Sequence, residues 1–138
     1  MFSLILTISL SSCFFSASPT YFENFSNELI KELQDEYELS IPKNNEFIGG
    51  YCDNAWRDPT TYLVFKVDTE NTENMMSENW VSREPRSLSL AFKKFVNVIP
   101  VEEYFFTGRT FAIMQFSKTD DNNKTICCLR VLDSFTDI

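Results

Sequence analysis

The stretch Thr61-Tyr62-Leu63-Val64-Phe65-Lys66-Val67-Asp68 carries the clearest structural signal in the chain. It is rich in β-branched and aromatic residues, and its side chains alternate between two faces, which predicts a β-strand. A second strand is predicted for residues 46–52, where Gly49-Gly50 indicates a bulge or a close backbone approach. The turn-rich residues between these segments predict that the two strands form a hairpin.

Helical patterns lie on both sides of this hairpin. Pro19 and the spacing of Phe25, Leu29 and Leu33 predict an amphipathic helix that ends near residue 37. Two further helices are predicted, a short acidic one that ends near residue 80 and a second one that begins after Ser87. Strands over residues 105–117 and 125–133 form a second hairpin. We therefore expect an α+β fold, in which an N-terminal amphipathic helix precedes β-β-α-α-β-β and the helices cover one face of an antiparallel sheet.

Length and composition indicate one folded domain. The chain has 138 residues, 43% of them hydrophobic, and it contains 14 phenylalanines, which suffice for an aromatic core. Its net charge of −8 argues against a nucleic-acid partner, because phosphate backbones repel it. Basic residues nevertheless outnumber acidic ones over residues 83–118. This uneven distribution of charge is explained by two differently solvated faces. The alternative is a basic patch that meets an acidic partner or lipid headgroups.

The absence of histidine limits the chemistry that the chain can perform. Without His, Ser-His-Asp and Cys-His catalysis are excluded, and the commonest metal ligand is missing. The acidic pairs Glu102-Glu103 and Asp120-Asp121 are the remaining candidates for hydrolysis, but we expect solvated positions for both. The sequence therefore predicts no catalytic residue, no metal site and no cofactor.

The N-terminal residues have the character of an export signal. Residues 2–10 are apolar and too few to span a bilayer, and small residues follow them. Leu10-Ser11-Ser12-Cys13 matches a lipobox, which predicts cleavage before Cys13 and a lipid on its sulfur. Cleavage near residues 16–18 is the alternative, and a buried N-terminal strand is another. We assign residues 1–18 to the signal and residues 19–138 to the domain.

Several of these segments together resemble a known group of proteins. They are Leu10-Ser11-Ser12-Cys13, Ile41-Pro42, Glu46-Phe47-Ile48-Gly49-Gly50-Tyr51 and the strand that follows Asp58-Pro59. The pattern is similar to that of small lipoproteins of Gram-positive gut-type bacteria. That family carries no known activity, so the resemblance implies an anchor but no functional residues.

Cysteines and aromatic residues supply the remaining candidate sites. In an oxidising compartment, one disulfide from Cys52 to Cys127 or Cys128 is an option, and free buried thiols are equally compatible with the sequence. An aromatic recognition surface is a further hypothesis, with core packing as the default for each residue. Its members would be Tyr51, Trp56, Arg57, Tyr62 and Trp80.

The expected function is therefore binding rather than catalysis. We expect an extracytoplasmic domain on the outer face of the cell membrane, held there by a lipid on Cys13. Its partner would be a protein or a small molecule. A freely secreted binding protein is the alternative, and a hydrolase that uses carboxylates ranks third.

Overall fold

The computed structural model describes residues 20–53, 59–108 and 111–132, and these form one antiparallel sheet. Its strands are β1 Thr20–Phe22, β2 Glu46–Asp53, β3 Thr60–Asp68, β4 Trp80–Arg83, β5 Pro100–Phe106, β6 Phe111–Ser117 and β7 Lys124–Leu132. The spatial order is β1-β2-β3-β7-β6-β5-β4. The long strands β3 and β7 therefore lie at the centre, where they pair from Thr60↔Leu132 to Asp68↔Lys124.

One face of the sheet, here called the helix face, is covered by helix α1, Asn27–Tyr37. The Ser26 side chain accepts a hydrogen bond from the Leu29 N–H at 3.1 Å, which caps the first turn. Leu29, Leu33 and Tyr37 recur every four residues and are buried against the sheet. The short helix α2, Thr72–Met75, adds the buried side chain of Met75 to the same core.

The opposite face, here called the loop face, is covered by residues 84–99. Leu88 and Phe92 of this loop segment pack on Val64 and Cys128, and partly buried residues such as Phe95 extend the cluster. The only regular structure of the segment is a 3-10 turn at Phe92–Lys94. Successive side chains of a central strand are therefore buried on opposite faces of the sheet. In β3, Leu63, Phe65 and Val67 lie on the helix face and Val64 lies on the loop face.

The predicted α+β class is wrong. The described ranges are mostly antiparallel sheet with two short helices, rather than an N-terminal amphipathic helix followed by β-β-α-α-β-β. The first residues of the predicted N-terminal helix instead form strand β1, which pairs with β2 through Tyr21↔Tyr51 and Phe22↔Gly50. The predicted acidic helix ends at Met75, because Met76 turns extended and forms an isolated bridge with Leu39.

The helix predicted after Ser87 does not form either. Its apolar spacing is correct in one respect, since Leu88, Ala91 and Phe92 are buried. The Ser89 side chain, however, accepts a hydrogen bond from the Ala91 N–H at 3.3 Å, which competes with helical bonding. Upstream, the Arg86 N–H is bound by a carboxylate of the sheet. Tertiary contacts therefore hold this segment as a loop.

The predicted N-terminal signal, its cleavage site and Cys13 lie outside the described residues, as do Trp56 and Arg57. The predicted domain limits, residues 19 and 138, also fall outside them. Within the described ranges, no helix has the length and apolar character needed to cross a membrane.

The cysteines of the sheet are buried, and the suggested disulfide from Cys52 to Cys127 or Cys128 does not form. Cys127 and Cys128 are free thiols on opposite faces of β7, whereas Cys52 is disulfide-bonded. Burial raises the pKa of the Cys127 thiol well above its ordinary value of 9.0. Burial likewise raises the pKa of Cys128 to about 12. Both thiols are therefore protonated and unreactive at neutral pH.

We expect iodoacetamide at pH 8 to leave Cys127 and Cys128 unmodified in the native protein and to alkylate both in urea, as measured by peptide mass spectrometry. Alkylation requires a deprotonated thiol that the reagent can reach. Burial keeps both thiols protonated and inaccessible. Cys52 is the internal control, because it should react only after reduction. Rapid native alkylation of either member of the pair would contradict its buried position.

Candidate functional site

A buried carboxylate organises the loop face. Glu103 of β5 is fully buried and lies between Arg83 of β4 and Gln115 of β6 in the strand register. One carboxylate oxygen accepts hydrogen bonds from Arg83 Nε at 2.5 Å and Arg86 Nε at 3.1 Å. The other accepts from the Arg86 N–H at 3.1 Å and Gln115 Nε2 at 2.8 Å. Both oxygens of Glu103 are therefore satisfied.

These contacts keep Glu103 ionised. Burial, the largest influence, pushes its pKa upward. The hydrogen bonds from Arg86, Arg83 and Gln115 together with the charge of Arg86 outweigh that, so the pKa lies below its ordinary value of 4.5. Glu103 is thus a structural anion, and it has no proton to donate near neutral pH.

The network also positions Arg86 at the start of the loop segment. In addition to the two bonds to Glu103, its carbonyl oxygen accepts a hydrogen bond from Gln115 Nε2 at 3.0 Å. Backbone N–H, backbone C=O and guanidinium are all tied to the sheet, while the side chain of Arg86 remains 57% exposed. Arg86 is therefore fixed in place and still accessible to a ligand.

A pocket of about 280 Å³ lies beside this anchor, between the loop segment and the sheet. Its size is close to the lower end, roughly 300 Å³, of ordinary ligand sites. Its floor is buried and its rim is exposed and polar. The lining residues are Arg86, Ser87, Ser89, Phe92, Ile113, Gln115 and Arg130. No carboxylate is among them, although the chain as a whole is strongly acidic.

Arg130 of β7 contributes an unsatisfied donor to this pocket. Its Nε is buried and makes no hydrogen bond within the described residues. A buried N–H without a partner carries a desolvation cost of about 1–3 kcal/mol, more when the group is charged. Counting Arg83, Arg86 and Arg130 against Glu103 leaves two net positive charges at the site. The arrangement is therefore suited to an oxyanion, which would accept a hydrogen bond and compensate charge at once.

The predicted aromatic surface is divided between the two faces. Tyr51 and Tyr62 do lie together on the loop face, stacked at 5.2 Å between ring centroids, and Tyr21 stacks on Tyr51 at 5.4 Å. Lys94 covers Tyr51, with Nζ 4.3 Å from the ring centroid. Trp80 belongs to the core of the helix face, where its Nε1 donates to the Tyr37 carbonyl at 2.8 Å. It cannot share a recognition surface with the tyrosines.

The other sequence candidates show no reactive arrangement. Glu102 is exposed, but the solvated position expected for Glu103 is wrong, because it is the one buried acid among the described residues. The two therefore do not form a catalytic pair. Asp120 closes a turn, since its Oδ1 accepts from the N–H groups of Asn122 and Lys124. Those hydrogen bonds lower the pKa of Asp120 below its ordinary range. Within the described ranges there is no group of acidic or cysteine side chains that could hold a metal ion.

Sequence reasoning missed the residues that build the pocket. The basic excess over residues 83–118 includes Arg83 and Arg86, but Arg130 lies outside it. The available signal was a polar residue at the centre of an apolar strand. Gln115 interrupts the apolar run of β6, and Arg130 interrupts that of β7. A polar side chain at such a position needs a hydrogen-bond partner or a ligand.

Comparisons of the chain with protein-family models, with curated proteins and with solved structures found no match. A function for the pocket therefore has to be inferred from the chemistry of its own residues. The resemblance to small lipoproteins stays a prediction from the sequence.

We expect Glu103→Gln to lower the free energy of unfolding by about 2–4 kcal/mol at pH 7, because it leaves two guanidinium groups without their shared anion. Because the pKa of Glu103 is lowered in the folded protein, its full contribution to stability is present above pH 4.5, the ordinary pKa of a glutamate. It is lost as the pH falls through the folded-state pKa. The stability difference between wild type and variant should therefore shrink in acid, as measured by urea unfolding.

The neighbouring acid provides the control. Glu102 is exposed, and its contact is a hydrogen bond from the Tyr104 hydroxyl at 3.1 Å. Glu102→Gln should change the unfolding free energy by less than about 0.5 kcal/mol. Equal losses from the two substitutions, or a difference that persists to pH 2, would contradict the structural role of Glu103.

Proposed function

We propose that this protein is an exported, non-catalytic binding domain that holds a small anionic ligand in the pocket of Arg86 and Arg130. The observation that carries the proposal is the buried Nε of Arg130, which has no partner in the described part of the chain and lies at a pocket without carboxylates among its described lining residues. Arg83 also has a buried nitrogen without a partner, Nη2, but its charge is compensated by Glu103, whereas Arg130 forms no ion pair within the described residues. The free donor is explained if a bound oxyanion completes it.

Binding is favoured over hydrolysis by the protonation states at the site. The chain contains no histidine, and Glu103, which is hydrogen-bonded to the lining residues Arg86 and Gln115, is ionised and has both oxygens satisfied. Ser87 and Ser89 line the rim, but the lining residues include no base that would activate a hydroxyl. Arginines and hydroxyls without a base can hold and orient an anion, which is the task of a binding protein.

Export is supported by the N-terminal sequence. The apolar residues 2–10 followed by Leu10-Ser11-Ser12-Cys13 have the pattern of a lipoprotein signal. We propose attachment to the outer face of the membrane by a lipid on Cys13, with free secretion after cleavage near residues 16–18 as the alternative.

The fate of Cys13 tests this part of the proposal. We expect full-length protein from a bacterial host to partition into detergent, and Cys13→Ala to abolish both partitioning and cleavage before that position, as measured by intact mass. Ser12→Cys paired with Cys13→Ala should not restore processing, because Ser9 and not Leu10 would then stand three residues before the cysteine. Loss of Cys13 from the mature protein would support free secretion. A peptide that links Cys13 to Cys52 would contradict both modes, since a disulfide excludes lipid on that sulfur and requires an uncut chain.

Anion binding is tested by removing the free donor. We expect Arg130→Met to weaken the binding of acetate or inorganic phosphate by at least about tenfold, the loss of one charge-assisted hydrogen bond. Binding would be measured by NMR titration at low ionic strength, where charge effects are not screened.

Lys93→Met is the matched control, because Lys93 is an exposed cation of the loop segment and does not line the pocket. It should leave binding within about twofold of wild type, since exposed charges act weakly. Equal weakening by both substitutions would mean that the anions respond to general charge, and this would remove the support for a specific site.

A further inference from the structure

We infer that the ligand of the arginine pocket is an oxyanion joined to an apolar body, of which a medium-chain carboxylate is the simplest example. The inference rests on the proposed function, because it names the ligand class for the same pocket. It is carried by a second observation, a row of apolar side chains that leads from Arg130 across the loop face to the edge of the sheet.

The strand register defines this row, here called the apolar strip. Arg130 pairs with Ile113, Ile113 with Phe105, and Phe105 with Val81. Paired residues of antiparallel strands share a face and lie roughly 4.5–5.5 Å apart. Phe111 joins the strip two positions before Ile113 on the same strand. Apolar side chains therefore follow one another on this face from the pocket to the edge strand β4.

Exposure along the strip increases away from the pocket. Ile113 is buried and lines the pocket, Phe105 is half-buried, and the outer members remain open, with Val81 at 41% and Phe111 at 36%. Large exposed apolar side chains that continue a polar pocket are typical of binding sites. A ligand with a charged end and an apolar end would cover both regions at once.

The charges at the strip fit this assignment. Arg83 lies over the Phe105 ring at 5.1 Å, but its charge is compensated by Glu103. Arg83 Nη2 and Arg130 Nε are both buried donors without a partner within the described residues, but only Arg130, at the other end, also lacks an ion pair there. The site thus has a polarity, with the anion position at β7 and neutral apolar surface toward β4, three strand spacings or roughly 14 Å away.

A small molecule fits this geometry better than a lipid bilayer does. The floor of the pocket is recessed, since Ile113 and Gln115 are each only 5% exposed and Arg130 Nε is buried. A membrane surface would meet the exposed rim and could not bring a headgroup to that nitrogen, whereas a single amphiphile can enter with its charged end first.

The test compares ligands that differ in one feature. We expect octanoate to bind at least about tenfold more tightly than acetate, because methylenes of the chain are buried on the strip. Octanol, which has the chain without the charge, should bind at least about tenfold more weakly than octanoate. Affinities would be measured by NMR titration below the micellar range. Octyl phosphate distinguishes the headgroups, and binding tighter or weaker than that of octanoate identifies the preferred oxyanion within the proposed class.

Variants locate the chain on the protein. Phe111→Ser and Phe105→Ser should each reduce the preference for octanoate over acetate at least about threefold while acetate affinity is unchanged. Ile99→Ser is the matched control, because Ile99 is 82% exposed and lies outside the strip. It should alter neither affinity. Circular dichroism confirms that each variant is folded, and two independent strip variants keep the test decisive if one of them unfolds.

The failures are distinguishable. If acetate binds through Arg130 but octanoate binds no more tightly, the present inference is wrong and the proposed function stands. If neither carboxylate binds, the proposed function itself fails. Octanol that binds as tightly as octanoate would overturn the inference, as would binding to vesicles of anionic phospholipid without any binding of monomeric octanoate.

Discussion

The structure depends on the need to compensate one buried negative charge. Glu103 has no contact with solvent, and a carboxylate in that position is tolerated only when it is paired and fully hydrogen-bonded. The groups that satisfy it come from β4, from β6 and from the beginning of the loop segment. The same ion pair therefore attaches an edge strand to the sheet and sets the position of the segment that covers the loop face.

The pocket is a consequence of this arrangement. Because Arg86 is held by its backbone as well as by its guanidinium, the loop segment begins at a fixed distance from β6 and β7, and a space remains between them. Glu103 compensates the charge of Arg83 and part of that of Arg86, whereas Arg130 has no ion pair within the described residues. The site thus separates arginines that stabilise the fold from one that is available to a ligand.

The sequence allowed good prediction where local pattern determines structure. The strand predicted from Thr61 to Asp68 corresponds to β3, and the glycine pair corresponds to the irregular register between Phe47 and Gly49 in β2. Prediction failed where distant contacts outweigh local preference. The segment after Ser87 has helical spacing, but it is held as a loop by Glu103, which lies more than a dozen residues away. One strand predicted over residues 105–117 is two, because the chain turns after Phe106.

The candidate site was hidden for a related reason. Adjacent residues of a strand point to opposite faces, so Glu102 and Glu103 must lie in different environments. The pattern alone does not show which of the two is buried. Arg130 is separated by over forty residues from Arg86 and Arg83, and only the antiparallel pairing of β6 with β7 brings it to the same pocket. Charge counts along the chain cannot detect clusters that the sheet assembles from separate strands.

The ionisation of Glu103 tests this account most directly. Its side-chain carboxyl can be followed by carbon-detected NMR across an acid titration, with the exposed Glu102 as an internal reference. We expect the pKa of Glu103 to lie below its ordinary value of 4.5, since its hydrogen bonds and arginine partners outweigh its burial. A pKa at or above 4.5 would show that burial dominates, and it would contradict the ion-pair network on which both the fold of the loop face and the pocket depend.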